Sequence, residues 1–184
     1  MIWPPFKVAL DTNVLFPPLL RDILLRAAEK DLYQPYWSTK ILDELERVLV
    51  RVGHVAPDAA RRARVEIARA FPEALVEGFE HLEPAMANDP GDRHVAAAAT
   101  LAGAQVIVTA NVRHFSDLPQ SIEIQTPDAF LTGLLGLAPS QMETVLREIA
   151  ADYRNPPQDI SALLSRLSAV APSFQAAMSA RLVP

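Results

Sequence analysis

Residues able to do chemistry stand at four places in this sequence, each against an apolar run. Asp11, Thr12 and Asn13 separate Val8-Ala9-Leu10 from Val14-Leu15-Phe16. Glu44 lies inside the run from Ser38 to Leu49, and Asp89 and Asp92 flank Pro90-Gly91 ahead of an alanine-rich stretch. Thr109 and Asn111 follow Val106-Ile107-Val108. A charge so close to a core-forming run is costly unless it is paired, hydrogen-bonded or bound to a metal. Asp11, Glu44 and Asp92, three acids far apart in sequence, are what a hard cation such as Mg²⁺ or Mn²⁺ takes as ligands. Such an ion can activate water and neutralise charge on a phosphate under attack.

Each acid also has a purely structural explanation. Asp11 can start a turn and accept backbone hydrogen bonds. Asp89 fits a helix N-cap, with Pro90 at the first helical position and Asp92 at the third, a capping box with Asp in place of Glu. Glu44 lies on the flank of a helix whose apolar face is Ile41, Leu42, Leu45, Val48, Leu49 and Val52. There it can pair with Lys40 or Arg47 at helical spacing, worth a few tenths of a kcal/mol. The stripe Lys40, Arg47 and Arg51 could equally meet phosphates. Local sequence does not choose between these.

Several other chemistries lack their residues. The chain has no cysteine, which excludes disulfides, thiolate catalysis and thiolate zinc sites and suits a reducing cytosol. Its four histidines, 54, 81, 94 and 114, lack short helical spacing, so His94 and His114 read as structural or hydrogen-bonding residues. There is no glycine-rich phosphate loop and no Gly-x-Ser-x-Gly elbow.

The elements that must position these residues alternate in type. Strands fit Lys7–Leu10, Val106–Thr109 and Ile122–Gln125, with a short one near Leu75-Val76. Helices fit 19–30, from Ser38 or Thr39 to Val52 with Gly53 as the stop, 57–71, and an alanine-rich helix ended by Gly103. Short wholly apolar strands alternating with helices argue for a parallel sheet covered on both faces. In such sheets sites form beyond the carboxyl ends of the strands, where Asp11, Thr109 and Asn111 all fall. After Thr126 the pattern is helical: 127–136, 139–153, 159–170 and 173–182, with Asn155-Pro-Pro157 as a linker. This divides the chain into 1–126 and a C-terminal helical extension, 127–184.

Of the 184 residues, 50% are apolar and 21% charged, so a packed core is expected and disorder is not. The net charge of −5 argues against a generic cationic nucleic-acid coat but not against an enzyme whose metal carries the positive charge. The opening Met1 to Lys7 lacks a basic head and a long apolar stretch, unlike a signal peptide. Val95 to Val112 carries no charge over eighteen residues, but it reads as a helix followed by a strand rather than as a membrane span.

The order "ALDTNVLF", "STKILDELERVL", "DPGDRHVAAAA", "VIVTANVRHF" resembles the PIN-domain ribonucleases, in particular the VapC-like toxins of bacterial toxin–antitoxin pairs, over roughly residues 6–126. The resemblance implies a three-layer α/β/α sandwich around a parallel sheet. It implies acids at the sheet's carboxyl edge that cut RNA with Mg²⁺ or Mn²⁺: Asp11, Glu44 and Asp92. Asn13 and Thr109 match positions that orient the acids or water. Asp89 could supply a further carboxylate, with the N-cap the first reading of it. Many members carry a fourth acid where this chain has Asn111, which points to one tight metal site with Asn111 supporting the metal or a phosphate. Lys40, Arg47, Arg51, Arg93 and Arg113 are the candidate contacts to the RNA backbone. A cognate antitoxin, a homodimer, a cytoplasmic location and no membrane are implied too. The alternative is a non-catalytic PIN-like module that binds RNA or protein. Haloacid-dehalogenase-like phosphatases rank lower: they want an acid where Asn13 stands, and a later lysine before an Asp pair that is missing here.

Overall fold

The computed structural model describes residues 6–116, 118, 121–154 and 156–182. The first five residues, and Asn155 of the expected linker, lie outside the described residues. In chain order the elements are β1 (Lys7–Leu10), α1 (Thr12–Leu15), α2 (Pro18–Glu29), β2 (Gln34–Ser38), α3 (Thr39–Arg51), α4 (Pro57–Ala70), β3 (Leu75–Val76), α5 (Arg93–Ala102), β4 (Val106–Val108), β5 (Glu123–Gln125), α6 (Pro127–Leu137), α7 (Pro139–Asp152), α8 (Ile160–Leu167) and α9 (Pro172–Leu182). Single 3₁₀ segments cover Pro72–Ala74, Glu80–Ala85 and Val112–Phe115.

The strands form one five-stranded sheet in the order β3-β2-β1-β4-β5, with every neighbouring pair parallel. The chain winds outward from β1 through β2 to β3. It then returns to the other side of β1 to add β4 and β5. The order therefore reverses between β1 and β4, and a crevice opens beyond their carboxyl ends at such a switch point. Val8, Ala9 and Leu10 of β1 and Ile107 and Val108 of β4 are buried, as strands covered on both faces require.

Helices cover both faces. Successive strand residues point to opposite sides: Trp37 of β2 joins the main core with Ile41 and Leu45, its ring edge-on to Phe71 at 5.7 Å. Its neighbour Tyr36 packs with Ala96, Ala97 and Met86 in a smaller cluster. The alanines of α5 have no bulk to hold that helix off the sheet, which explains their number. This is the α/β/α sandwich, with the C-terminal helices joined to its main core. Phe130 of α6 stands edge-on to Tyr33 at 5.1 Å, and Leu146 of α7 and Leu164 of α8 belong to the same cluster as β1.

Three local expectations are corrected. β2 was not anticipated: Pro35 offers no N–H, and only Trp37 and Ser38 at its end are buried, so the segment has no apolar run to mark it. α1 was not anticipated either; the polar triplet after β1 turns directly into helix. The capping box at 89–92 does not form. The helix begins at Arg93 with Asp92 at the N-cap position and no side-chain cap bond, while Asp89 Oδ1 accepts from the Gly91 amide at 2.9 Å in a separate turn. Both acids are thus released from capping this helix. The uncharged stretch 95–112 divides into α5 and β4, with Gly103 between them at φ 65°, a left-handed conformation that suits glycine. Among the described residues no helix is long and apolar enough to cross a membrane.

Candidate active site

The crevice beyond β1 and β4 holds a cavity of about 380 Å³ lined by Asp11, Thr12, Asn13, Phe16, Glu44, Val48, Val52, Asp92 and Asn111. Four segments distant in sequence supply its polar groups. β1 delivers Asp11, whose amide is tied to the Val108 carbonyl at 3.1 Å. α3 delivers Glu44, and its start is fixed by the buried Ser38, whose hydroxyl accepts from the Ile41 amide at 3.2 Å. The start of α5 delivers Asp92, and the turn after β4 delivers Asn111.

Asp11 is 3% exposed and sits in a closed network. Thr109, fully buried, donates its hydroxyl to Asp11 Oδ2 at 2.7 Å. Its two lone pairs accept from Asn13 Nδ2 and the Asn111 amide, each at 3.0 Å. That exhausts a hydroxyl's capacity. Asn13 also donates to Asp11 Oδ2, and its Oδ1 accepts from the Ala110 amide at 2.9 Å. Asn13 is therefore a brace between the two strand ends. A second catalytic acid, as a phosphatase would want there, has no counterpart in that arrangement. Burial pushes the Asp11 carboxyl up; the Thr109 bond opposes this, and the charge of Asp92 adds to it.

Glu44 does not pair with Lys40 or Arg47. It accepts from Thr12 Oγ1 at 3.0 Å on Oε2, and His94 Nε2 lies 3.5 Å from the same oxygen. His94 holds its carboxyl below the usual range, against burial and with help from Thr12. Lys40 lies 3.4 Å from Glu83, and Arg47 Nε donates to the Asp43 carbonyl at 3.3 Å. Asp92 Oδ2 meets His114 Nδ1 at 2.7 Å. The ligand atoms of Asp89, Asp92 and His114 all lie within 4.8 Å of one another, a set that could hold a metal; Asp11 and Glu44 are not members of it.

One regularity runs through the acids. The side-chain partners gather on one oxygen, Oδ2 of Asp11, Oε2 of Glu44 and Oδ2 of Asp92. Among the described residues the other oxygen has no side-chain hydrogen bond. Three carboxylates thus line or border one cavity, each held by side-chain partners at one oxygen, the chemistry that oxygen-ligated cations require of their supports. The basic candidates sit outside the cavity lining: Arg51 and Arg113 are exposed, and Arg93 Nε donates to the Asn88 carbonyl at 3.4 Å. Sequence reading did not anticipate Thr12 as a partner of Glu44, nor the apolar wall of Phe16, Val48 and Val52. Only the i, i+4, i+8 spacing of Glu44, Val48 and Val52, the last at the C-cap of α3, could have signalled that wall.

A parallel α/β/α sandwich with acids gathered at its switch point is the architecture of a PIN-like nuclease, and sequence comparison agrees with it. The chain matches the PIN domain family over residues 7–113 and the "VapC50 C-terminal domain" family over residues 127–180. It belongs to the PIN-domain family, with a VapC-like C-terminal part. Among characterised sequences it is 39% identical over 114 residues to "Putative ribonuclease VapC50" of Mycobacterium tuberculosis (strain ATCC 25618 / H37Rv), an alignment covering 60% of this chain and 67% of that protein.

Proposed function

We propose that this protein is a metal-dependent endoribonuclease, the toxin of a toxin–antitoxin pair, in which Asp11, Glu44 and Asp92 hold Mg²⁺ or Mn²⁺. The observation that carries the reading is the convergence of three separated acids on one cavity, each with an oxygen left open. When bound, the ion would lower the pKa of a coordinated water and offset charge building on the scissile phosphate. The chain's own contribution is placement. Thr109 and Asn13 hold Asp11, Thr12 holds Glu44, and His114 holds Asp92. An open carboxylate oxygen can take a proton from the attacking water, whose oxygen bonds to phosphorus as the bond to the leaving oxygen breaks. Asn111, with a neutral amide, would support the ion or a phosphate oxygen. Asp89 stands beside Asp92 as a further ligand.

The wall of Phe16, Val48 and Val52 would take the apolar faces of sugar or base next to that phosphate. Arg47, Arg51, Arg93 and Arg113 would line the outer path of the RNA, and Lys40 would have to leave Glu83 to join them. A cognate antitoxin protein, a homodimer and a cytoplasmic setting follow from the same family reading. The test is cleavage of single-stranded RNA by purified protein with Mn²⁺. Cutting that vanishes in Asp11→Asn supports the proposal; no cutting by the parent, or cutting that survives the substitution, defeats it. Asn111 also favours a second reading, a PIN-like module that binds RNA or protein without cleaving. Calorimetry showing no Mg²⁺ or Mn²⁺ uptake that depends on Asp11 would favour that module.

A further inference from the structure

We propose that His94 is a positioning residue for the acid cluster, its buried Nε2 acting on Glu44 to fix which carboxylate oxygen is presented to the cation. This rests on the nuclease reading above and adds a residue to it. His94 is the second residue of α5 and is 1% exposed. Neither of its ring nitrogens has a hydrogen-bond partner of ordinary geometry. An unpartnered polar group in the interior is destabilising. The residues that follow it on α5 are Val95 and a run of buried alanines, so an apolar side chain would fill this place at less cost.

The direction of the imidazole supplies the reason for a polar group. Nε2 lies 3.5 Å from Glu44 Oε2, the oxygen that already accepts from Thr12 Oγ1 at 3.0 Å. A shift of roughly half an ångström would bring the pair into hydrogen-bond range. Glu44 is long, and its side chain is 35% exposed, so without anchors it would give up much rotamer freedom on being held at a metal. Two donors on Oε2, one from α1 and one from α5, pin that oxygen and leave Oε1 to the cavity. His94 also joins Glu44 to the helix that carries Asp92, two residues before it. Two of the three acids are thereby positioned by one helix start.

Three variants separate donor from filler. In His94→Gln the side-chain amide nitrogen stands near the place of Nε2; in His94→Asn it stands near Nδ1; His94→Leu keeps bulk and has no donor. Mn²⁺ affinity by calorimetry, Tm without metal, and kcat and KM for an RNA oligonucleotide are measured for each. We expect His94→Leu to keep or raise its Tm, to bind Mn²⁺ about tenfold more weakly and to lose about tenfold in kcat with little change in KM, the size seen when a ligand's outer support is removed. His94→Gln should recover most of both losses, and His94→Asn should not. A Leu variant that binds Mn²⁺ and cuts like the parent overturns the inference. So does loss of function in all three that follows Tm. If the Leu variant does not fold, the comparison of Gln with Asn decides: equal behaviour overturns the inference. A parent that neither binds Mn²⁺ nor cuts RNA removes the nuclease reading itself and this inference with it. A competent parent with an indifferent Leu variant removes His94 alone.

Discussion

Asp11 sits in a place that resists charge. Burial and the nearby Asp92 raise its pKa above the ordinary value, so the folded protein binds a proton there more readily than the unfolded chain. Stability then falls as pH rises from the ordinary aspartate range through the raised folded value, because the native state holds the extra proton in that window. Asp11→Asn removes this penalty while leaving an oxygen for Thr109. It should raise Tm at neutral pH by a few degrees, about 1 kcal/mol for a chain this size, while abolishing RNA cleavage. Differential scanning calorimetry with an RNA assay checks both, and a lower Tm would show the site to be structural. Thr109→Val keeps the shape but removes the donor to Asp11 and the acceptor for Asn13 and Asn111. It should cost about 1–3 kcal/mol and more than a tenfold loss of cleavage, with Thr109→Ser retaining most of both. Mn²⁺ affinity should also decline on acidification at a higher pH than an unperturbed aspartate would impose, which titration at several pH values measures.

At the scale of elements, the site depends on helix starts. Ser38 caps α3, the helix that carries Glu44, so Ser38→Ala should lower stability by about 1 kcal/mol in urea unfolding and weaken Mn²⁺ binding along with it. Most elements were legible in sequence because their signals are local. Pro57, Pro127 and Pro139 stand at the first helical positions, Gly103 ends α5 in a left-handed turn, and β4 and all of β1 after Lys7 are apolar. β2 was not legible, since its place in the sheet comes from pairing with β1 and β3 and not from its own residues. The start of α5 was misread for a related reason. Asp89-Pro90-Gly91-Asp92 suits a capping box, but the Asp89 amide is drawn to the His114 carbonyl at 3.0 Å and Asp92 to His114 Nδ1. A tertiary partner outbid the local one.

For the whole molecule, the decisive feature is one core reaching from β1 into α6–α9. Removing residues 127–184 would uncover Tyr33 and the apolar faces that Phe130, Leu146 and Leu164 cover. The remaining 1–126 should be insoluble or unfolded by circular dichroism. A soluble, folded fragment would show that the helices serve regulation instead. In the intact protein, Mn²⁺ should raise Tm by mass action, and the rise should vanish in Asp11→Asn.

The sequence by itself determined the parallel sheet and the edge beyond which Asp11, Thr109 and Asn111 fall, and it offered Asp11, Glu44, Asp92 and Asn111 as candidates. These follow from apolar runs, helix signals and the order of motifs, all local along the chain. Only the tertiary structure decided how those residues are braced: that Thr109 spends its whole hydrogen-bonding capacity on Asp11 and its neighbours, that His114 takes Asp92 from the helix cap, and that His94 lies beneath Glu44. Such partners are tens of residues apart, and a side chain's competing hydrogen bonds are settled by which groups the sheet's reversal brings within reach.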